Sequence, residues 1–260
     1  MASLSVIVIT KNEAHNIQTC LQALSFADQC VVLDSGSSDA TCEIARELGA
    51  EVTQSTDWQG FGIQKNRALA LSTGDWVLSI DADEIVTPEL REQILAALAA
   101  PQFDVYDFPR LSSYCGQYIR HSGWYPDRVT RLFKRGVADF SNDKVHERLI
   151  TKSQVGQLKA HLLHHSFINF ESVLSKVNHY SSAGAERMQS QNKTATPVTA
   201  LLHGLWTFLR SYILRRGFLD GSMGLALAIS NAEGSYYRYL KLWLMQRQTE
   251  QNAIPSRDPN

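Results

Sequence analysis

Cysteine is scarce: the 260 residues hold four, Cys20, Cys30, Cys42 and Cys115, at no metal-ligand spacing. That excludes a disulfide scaffold and a zinc module, and it favours the cytosol. No stretch offers the ~20 uninterrupted apolar residues that a spanning helix needs. The opening Met1-Ala2-Ser3-Leu4 runs straight into an apolar segment without a basic n-region or cleavage site, so no signal peptide is expected. Internal repeats and low-complexity tracts are missing too. Net charge is -1, so there is no global surplus with which to attract a partner.

What is present is an ordinary globular composition, 44% apolar, long enough for one large domain or a domain with an appendage. The charge is divided along the chain. Residues 1–115 carry 16 acids and 6 bases, and residues 116–260 carry 10 acids and 19 bases. A basic back half suits an anionic partner: nucleic acid, a phosphorylated glycan or a membrane surface.

One stretch organises the rest. Trp76–Ile80 is an apolar run that ends in Asp81, Asp83 and Glu84. Three crowded carboxylates repel, and a divalent cation is the economical counter-charge because hard cations prefer carboxylate oxygens. Upstream, Leu4–Thr10, Gln29–Asp34 and Glu51–Gln54 read as further strands, separated by helical patterns. Strand–helix alternation over the first hundred residues means βαβ units and a twisted parallel sheet. Such sheets bind ligands beyond the carboxyl ends of their strands, so Thr10–Glu13, Asp34–Ser38 and Asp81–Glu84 are expected to converge. Thr87-Pro88-Glu89 starts a helix whose buried side is Leu90, Ile94, Leu95 and Leu98. After Pro101, Val105–Leu111, Arg128–Phe133, Val145–Ile150 and Leu158–His165 read as an antiparallel addition. From Phe170 the chain is mainly helical, with a polar, frayed end.

These ordered motifs resemble the inverting glycosyltransferases of family 2: Thr10-Lys11-Asn12-Glu13, Asp34-Ser35-Gly36-Ser37-Ser38-Asp39, Lys65-Asn66-Arg67, Ser72-Thr73-Gly74-Asp75-Trp76 and Asp81-Ala82-Asp83. The resemblance implies the α/β GT-A fold, a mainly parallel twisted sheet flanked by helices, with a helical C-terminal extension. It divides the chain into a catalytic domain at 1–168, a helical region at 169–250 and a flexible tail at 251–260. Within the catalytic domain, 1–100 is the nucleotide-sugar half and 101–168 the acceptor half. Trp124-Tyr125-Pro126-Asp127-Arg128, Arg131-Leu132-Phe133-Lys134-Arg135, Val145-His146-Glu147 and Gly217-Phe218-Leu219-Asp220-Gly221 look like the branch that glucosylates the inner-core heptose of lipopolysaccharide.

The resemblance implies a UDP-sugar donor, UDP-glucose foremost, held through Mg²⁺ or Mn²⁺. Asp83 is the first metal ligand expected, with Asp81 and His146 beside it. Thr10, Glu13, Asp34, Lys65, Asp81 and Asp83 fall on the nucleotide-sugar side. Asp34 could equally be a turn-forming residue, and Glu13 a helix-start acid. Inversion needs one base on the acceptor hydroxyl; Glu147 is expected there, with Asp127 as runner-up. Arg128 and Arg131 suit an acceptor rich in phosphate, and Trp124 could stack on a sugar. His161, His164 and His165 alternate along a strand and read as structural.

In Pro197–Arg216 an apolar face of Leu202, Leu205, Trp206, Leu209 and Ile213 opposes Thr199, His203, Thr207 and Arg210. With the aromatic and basic Tyr236–Arg247 this fits either a helix in a membrane interface or one packed on the domain. The expectation is thus a metal-dependent hexosyltransferase, peripheral on the cytoplasmic face of the inner membrane and acting on the lipopolysaccharide core. The rivals are a relative with a polyprenyl phosphate or capsular acceptor, a nucleotidyltransferase and a non-catalytic anionic-surface binder. A nucleotidyltransferase would need a glycine-rich, basic loop after the first strand, and Lys11-Asn12-Glu13 is none. Nucleic acid is not expected as a partner.

Overall fold

A computed structural model describes residues 2–142 and 147–253. The chain forms two compact units, Met1–Leu111 with Pro126–His165, and Ser112–Tyr125 with Ser166–Asn260.

In the first unit, β1 (Leu4–Thr10), β2 (Gln29–Asp34), β3 (Glu51–Gln54) and β4 (Trp76–Asp81) are parallel, in the order β3-β2-β1-β4. The sheet then turns mixed, adding β8 (Asp127–Lys134), β6 (Val105–Tyr114), β12 (Leu162–Phe167) and β5 (Glu84–Val86), with β11 (Val155–Gln157) beside β6. All seven residues of β1 are buried, as expected for a strand covered on both faces. Its alternation separates two cores. Leu4, Val6 and Val8 pack with α1 (Ile17–Ala23), α2 (Thr41–Glu47) and α4 (Pro88–Ala99). Ile7 and Ile9 pack with Ala68 of α3 (Phe61–Ala70) and with Phe140 of β9 (Ala138–Phe140). Gly74 is required by close approach, because a Cβ there would lie 2.7 Å from the Ser5 backbone nitrogen.

Strand order reverses between β1 and its neighbours, since β2 lies on one side and β4 on the other. That is the switch point at which such sheets open a crevice. Register places Thr10 beside Asp34 and Ile9 beside Asp81. Motif residues from three separate strands therefore end within one residue of the same level.

Two expectations change. Leu95 is 38% exposed, because α4 turns Leu90, Ile94 and Leu98 inward on a narrower stripe. The second unit also begins earlier than residue 169: it takes in Ser112–Tyr125, including β7 (Gln117–Tyr118). The reason is packing, since Tyr114 and Ile119 share a core with Val173 of α5 (Phe170–Ser190) and Leu227 of α7 (Gly221–Ala253).

The second unit is otherwise helical. Asn169 and Thr196 begin α5 and α6 (Pro197–Leu209) with reciprocal capping boxes, and a π-helical turn at Arg210–Leu214 extends α6. Asp220, from the Gly217–Gly221 motif, accepts the backbone N–H groups of Arg120 and His121 at 3.2 and 2.8 Å. Its role there is to pin that loop.

Candidate active site

The loops after β1 and β2 are tied together. Asn12, at φ 56°, donates its backbone N–H to Ser37 Oγ at 2.7 Å, and its side-chain oxygen accepts the Ser38 N–H at 2.8 Å. Glu13 donates its backbone N–H to Thr41 Oγ1 at 2.8 Å. Asp34 is fully buried and turns back on its own loop, accepting the N–H groups of Gly36 and Ser37 and the Ser37 hydroxyl. Burial pushes its carboxyl up, but these hydrogen bonds win and hold it below the usual carboxylate range. Asp34 is thus the turn-forming residue that the sequence allowed for. Next to it, the Thr10 hydroxyl is buried and has no hydrogen-bond partner among the described residues.

The carboxylates after β4 divide their work. Asp81 meets Lys65 Nζ at 2.8 Å through one oxygen and Arg131 at 2.6 Å through the other. Burial alone would raise the Asp81 carboxyl; Arg131 and Lys65 outweigh it and hold that carboxyl far below the ordinary range. Glu84 is wholly buried, accepts the Asp81 backbone N–H at 2.9 Å and pairs with Arg110 at 3.2 Å. Arg110 continues to Asp127, with nitrogens at 2.9 and 2.7 Å from one carboxylate oxygen. On the other side Lys65 reaches Glu147 at 2.7 Å. A chain of alternating charge therefore runs Glu147–Lys65–Asp81–Arg131–Glu84–Arg110–Asp127.

Glu147 owes its place to α3. Asn66 both donates to and accepts from the Phe140 backbone, at 2.8 and 2.9 Å. Gly62 lets the same segment in, since a Cβ there would sit 1.7 Å from the Ser141 carbonyl oxygen. Phe140 in turn pairs with Leu149 of β10 (Leu149–Thr151), just beyond Glu147. The Lys-Asn pair of the motif thus has two tasks: Asn66 anchors the hairpin and Lys65 meets the carboxylate that the hairpin delivers.

Asp83 is different. Its contact is His164 Nε2 at 3.3 Å, and among the described residues no lysine or arginine lies within ion-pair distance of it. Glu13 feels it: burial raises the Glu13 carboxyl, the Asn16 amide opposes, and the charge of Asp83 adds to the rise. A hard divalent cation takes one or two carboxylates and fills its shell with phosphate and water oxygens. The donor chemistry at Asp83 fits such an ion. Asp81 has both oxygens on protein cations, so the carboxylate left open is Asp83. His146 lies outside the described residues, which hold no cluster of three or more metal-binding side chains.

Two participants have no signal in the sequence. Arg110 is visible only through the β6–β8 register, in which it opposes Asp127. His164 reads in sequence as structural; its strand position opposite Glu84 is what delivers it to Asp83. The expected acceptor residues are placed differently from one another. Arg131 is 8% exposed and belongs to the network, while Arg128 pairs with Asp107. Trp124 lies in the second unit, stacked on Phe167 at 5.7 Å.

Comparisons with known proteins give the family. The Glycosyl transferase family 2 model matches residues 5–154. An uncharacterized glycosyltransferase of Rickettsia prowazekii (strain Madrid E) is 30% identical, over 98% of this chain and 91% of that protein. LpsC, a lipopolysaccharide core biosynthesis glycosyltransferase of Rhizobium meliloti (strain 1021), is 27% identical over 91% of this chain and 93% of its own. Among solved structures, glucosyl-3-phosphoglycerate synthase of Mycobacterium tuberculosis, with Mn²⁺, UDP and glucosyl-3-phosphoglycerate, aligns at 26% identity and TM-score 0.37. That overlap is partial, 43% of this chain and 44% of that one.

The fold and the matched family define a glycosyltransferase with the GT-A architecture, an enzyme of the hexosyltransferase class. The chain belongs to glycosyl transferase family 2.

Proposed function

We propose that this enzyme is an inverting, metal-assisted transferase that moves glucose from UDP-glucose to a heptose of the lipopolysaccharide inner core. The observation carrying the donor half is the gathering of Thr10, Asp34 and Asp81 at the strand ends of the switch point, with Asp83 beyond them and, among the described residues, no lysine or arginine within ion-pair distance of it. For the acceptor half, support comes from the relative LpsC, which matches over nearly its whole length.

Thr10 and Glu13 hold the nucleoside beside the loop that Asp34 shapes, with the Thr10 hydroxyl, which has no hydrogen-bond partner among the described residues, as a hydrogen-bonding group for it. Asp83, with His164 beside it, is the donor set for Mg²⁺ or Mn²⁺, and the chemistry supplied is neutralisation of charge on the departing UDP. Lys65 and Arg131 keep the Asp81 loop in shape next to that charge. Glu147 takes the proton of the acceptor hydroxyl. The hydroxyl oxygen bonds to the anomeric carbon from the face opposite UDP, the bond to the diphosphate oxygen breaks, and its electron pair leaves with UDP. Asp127 is the alternative base, but both of its contacts bind it to Arg110.

A membrane-facing surface completes the reading. Leu201, Leu202, Leu205 and Trp206 of α6 are each more than half exposed, while its small residues Ala200 and Gly204 are buried. The helix is turned apolar side out, flanked by exposed Arg210, Arg215 and Arg216. An anionic lipid surface satisfies both features. No helix among the described residues is long and apolar enough to cross a membrane, so contact is peripheral, on the cytoplasmic face where UDP-sugars are found.

A donor panel tests the reading: UDP release is measured with UDP-, GDP- and CMP-sugars in magnesium or manganese. UDP-glucose turnover stimulated by heptose-terminated core is expected. No release from any UDP-sugar would overturn it.

A further inference from the structure

We infer that the helical unit carries a second binding site, a cationic cavity that takes a phosphate group, separate from the donor crevice. The cavity measures about 510 Å³ and is lined entirely by residues of that unit. Lys176, Arg210, Arg215 and Arg238 stand in its wall, and no carboxylate does. Among the described residues none of the four has an acid within ion-pair distance. The basic strand cluster of the first unit differs, because Arg128, Arg131 and Lys134 there meet Asp107, Asp81 and Asp104.

The backbone makes room for these charges. Gly123 has φ +80°, and a Cβ on it would come within 2.1 Å of Arg215 Nη1. At Gly184 a Cβ would lie 2.7 Å from Arg238 Nε. Two guanidinium groups therefore rest on bare backbone. Lys176 is held by the Ser166 carbonyl at 2.7 Å and lies 4.4 Å from the Phe167 ring centre. The Ser122 hydroxyl, also in the wall, is buried and has no hydrogen-bond partner among the described residues. Four cations gathered without an acid repel one another, and an anion with several oxygens relieves that repulsion while accepting from forked guanidinium donors.

Phosphate is the chemistry that fits, and a lipid headgroup is the source that the surroundings favour. Thr207 and Arg210 of the wall come from the same helix, and its π-helical extension, as the exposed Trp206 and Leu209. A phosphate in the cavity leaves attached acyl chains beside that apolar stripe. Only this choice of source rests on the proposed membrane contact.

The test titrates full-length protein carrying Asp83→Asn, which mutes the donor crevice, with inorganic phosphate by calorimetry. Vesicles of phosphatidylcholine, with and without phosphatidic acid, are assayed by co-sedimentation in parallel. Saturable phosphate binding is expected, weakened about tenfold or more by Arg215→Gln with Arg238→Gln and partly restored by Arg215→Lys with Arg238→Lys. Gly184→Ala, which displaces Arg238 and keeps its charge, should weaken binding to a lesser degree and guards against misfolding of the double variant. Equal binding by parent and double variant, or none by the parent, overturns the inference. Saturable phosphate binding with no gain in vesicle binding from phosphatidic acid supports the cavity while refuting lipid as its source. Because UDP-glucose turnover is not read here, failure of the transferase reading leaves this result intact.

Discussion

Lys65→Met should be the most disruptive single change to the charged network. Lys65 is almost fully buried, at 2% side-chain exposure, with its ammonium 2.8 Å from Asp81 and 2.7 Å from Glu147. At an effective dielectric constant of ~20, each contact is worth about 6 kcal/mol before desolvation. Taking an ammonium out of water returns several kcal/mol of that. Asp81 keeps Arg131 when Lys65 is lost, but among the described residues Glu147 keeps no cation within ion-pair distance, so a net loss of about 3 kcal/mol follows. In a chain of this size that is a fall of about 6–12 °C in melting temperature. Urea unfolding followed by circular dichroism measures it. The double variant Lys65→Met with Glu147→Gln should regain part of the loss, since the orphaned charge is gone. A Lys65→Met protein within 1 kcal/mol of the parent, as an order-of-magnitude margin, would refute the reasoning. So would strict additivity of the two substitutions.

Three further outcomes follow from the same geometry. Glu147→Gln should lower kcat by about 10²–10⁴ with UDP-glucose affinity kept; full activity would move the base to Asp127. Asp81 has a carboxyl depressed in the folded state, so its contribution is complete above the unfolded value of about 4 and is lost as pH falls below that. Thermal melts from pH 6 to pH 3 should therefore fall less steeply for Asp81→Asn than for the parent, and parallel curves would contradict the depressed carboxyl. Leu205→Asp with Trp206→Asp should weaken binding to anionic vesicles about 30-fold or more without changing the circular dichroism spectrum. Unchanged vesicle binding would leave the stripe without its assigned occupant.

Much of the nucleotide-sugar half was legible because its signals are local. A strand buried on both faces, such as Leu4–Thr10, writes itself as a continuous apolar run, and Thr87-Pro88 marks a helix start that the structure reproduces, with the Thr87 hydroxyl accepting from Leu90. The charges were legible only as a cluster. Nothing in the spacing of Asp81, Asp83 and Glu84 says that Asp81 goes to Lys65 and Arg131, that Glu84 is buried as a brace, and that Asp83 meets His164. Those assignments depend on the pairings of β4, β5, β6, β8 and β12, which are long-range. His164 is the clearest case: on its own strand it is one polar residue among several, and only the antiparallel partner β5 gives it meaning. The C-terminal helices posed the reverse problem. The apolar face of α6 was plain in sequence, but amphipathicity alone cannot say which face packs. Gly204, seated 3.1 Å (as a built Cβ) from Tyr236, decides that the small face does.

The most direct test is transfer of labelled glucose from UDP-glucose to lipopolysaccharide truncated at the inner-core heptose, run with magnesium or manganese, with chelator, and with Asp83→Asn. The account predicts labelled core of inverted anomeric configuration in the first reaction and loss of labelling in the other two. Labelling that persists undiminished in chelator and in Asp83→Asn would contradict it.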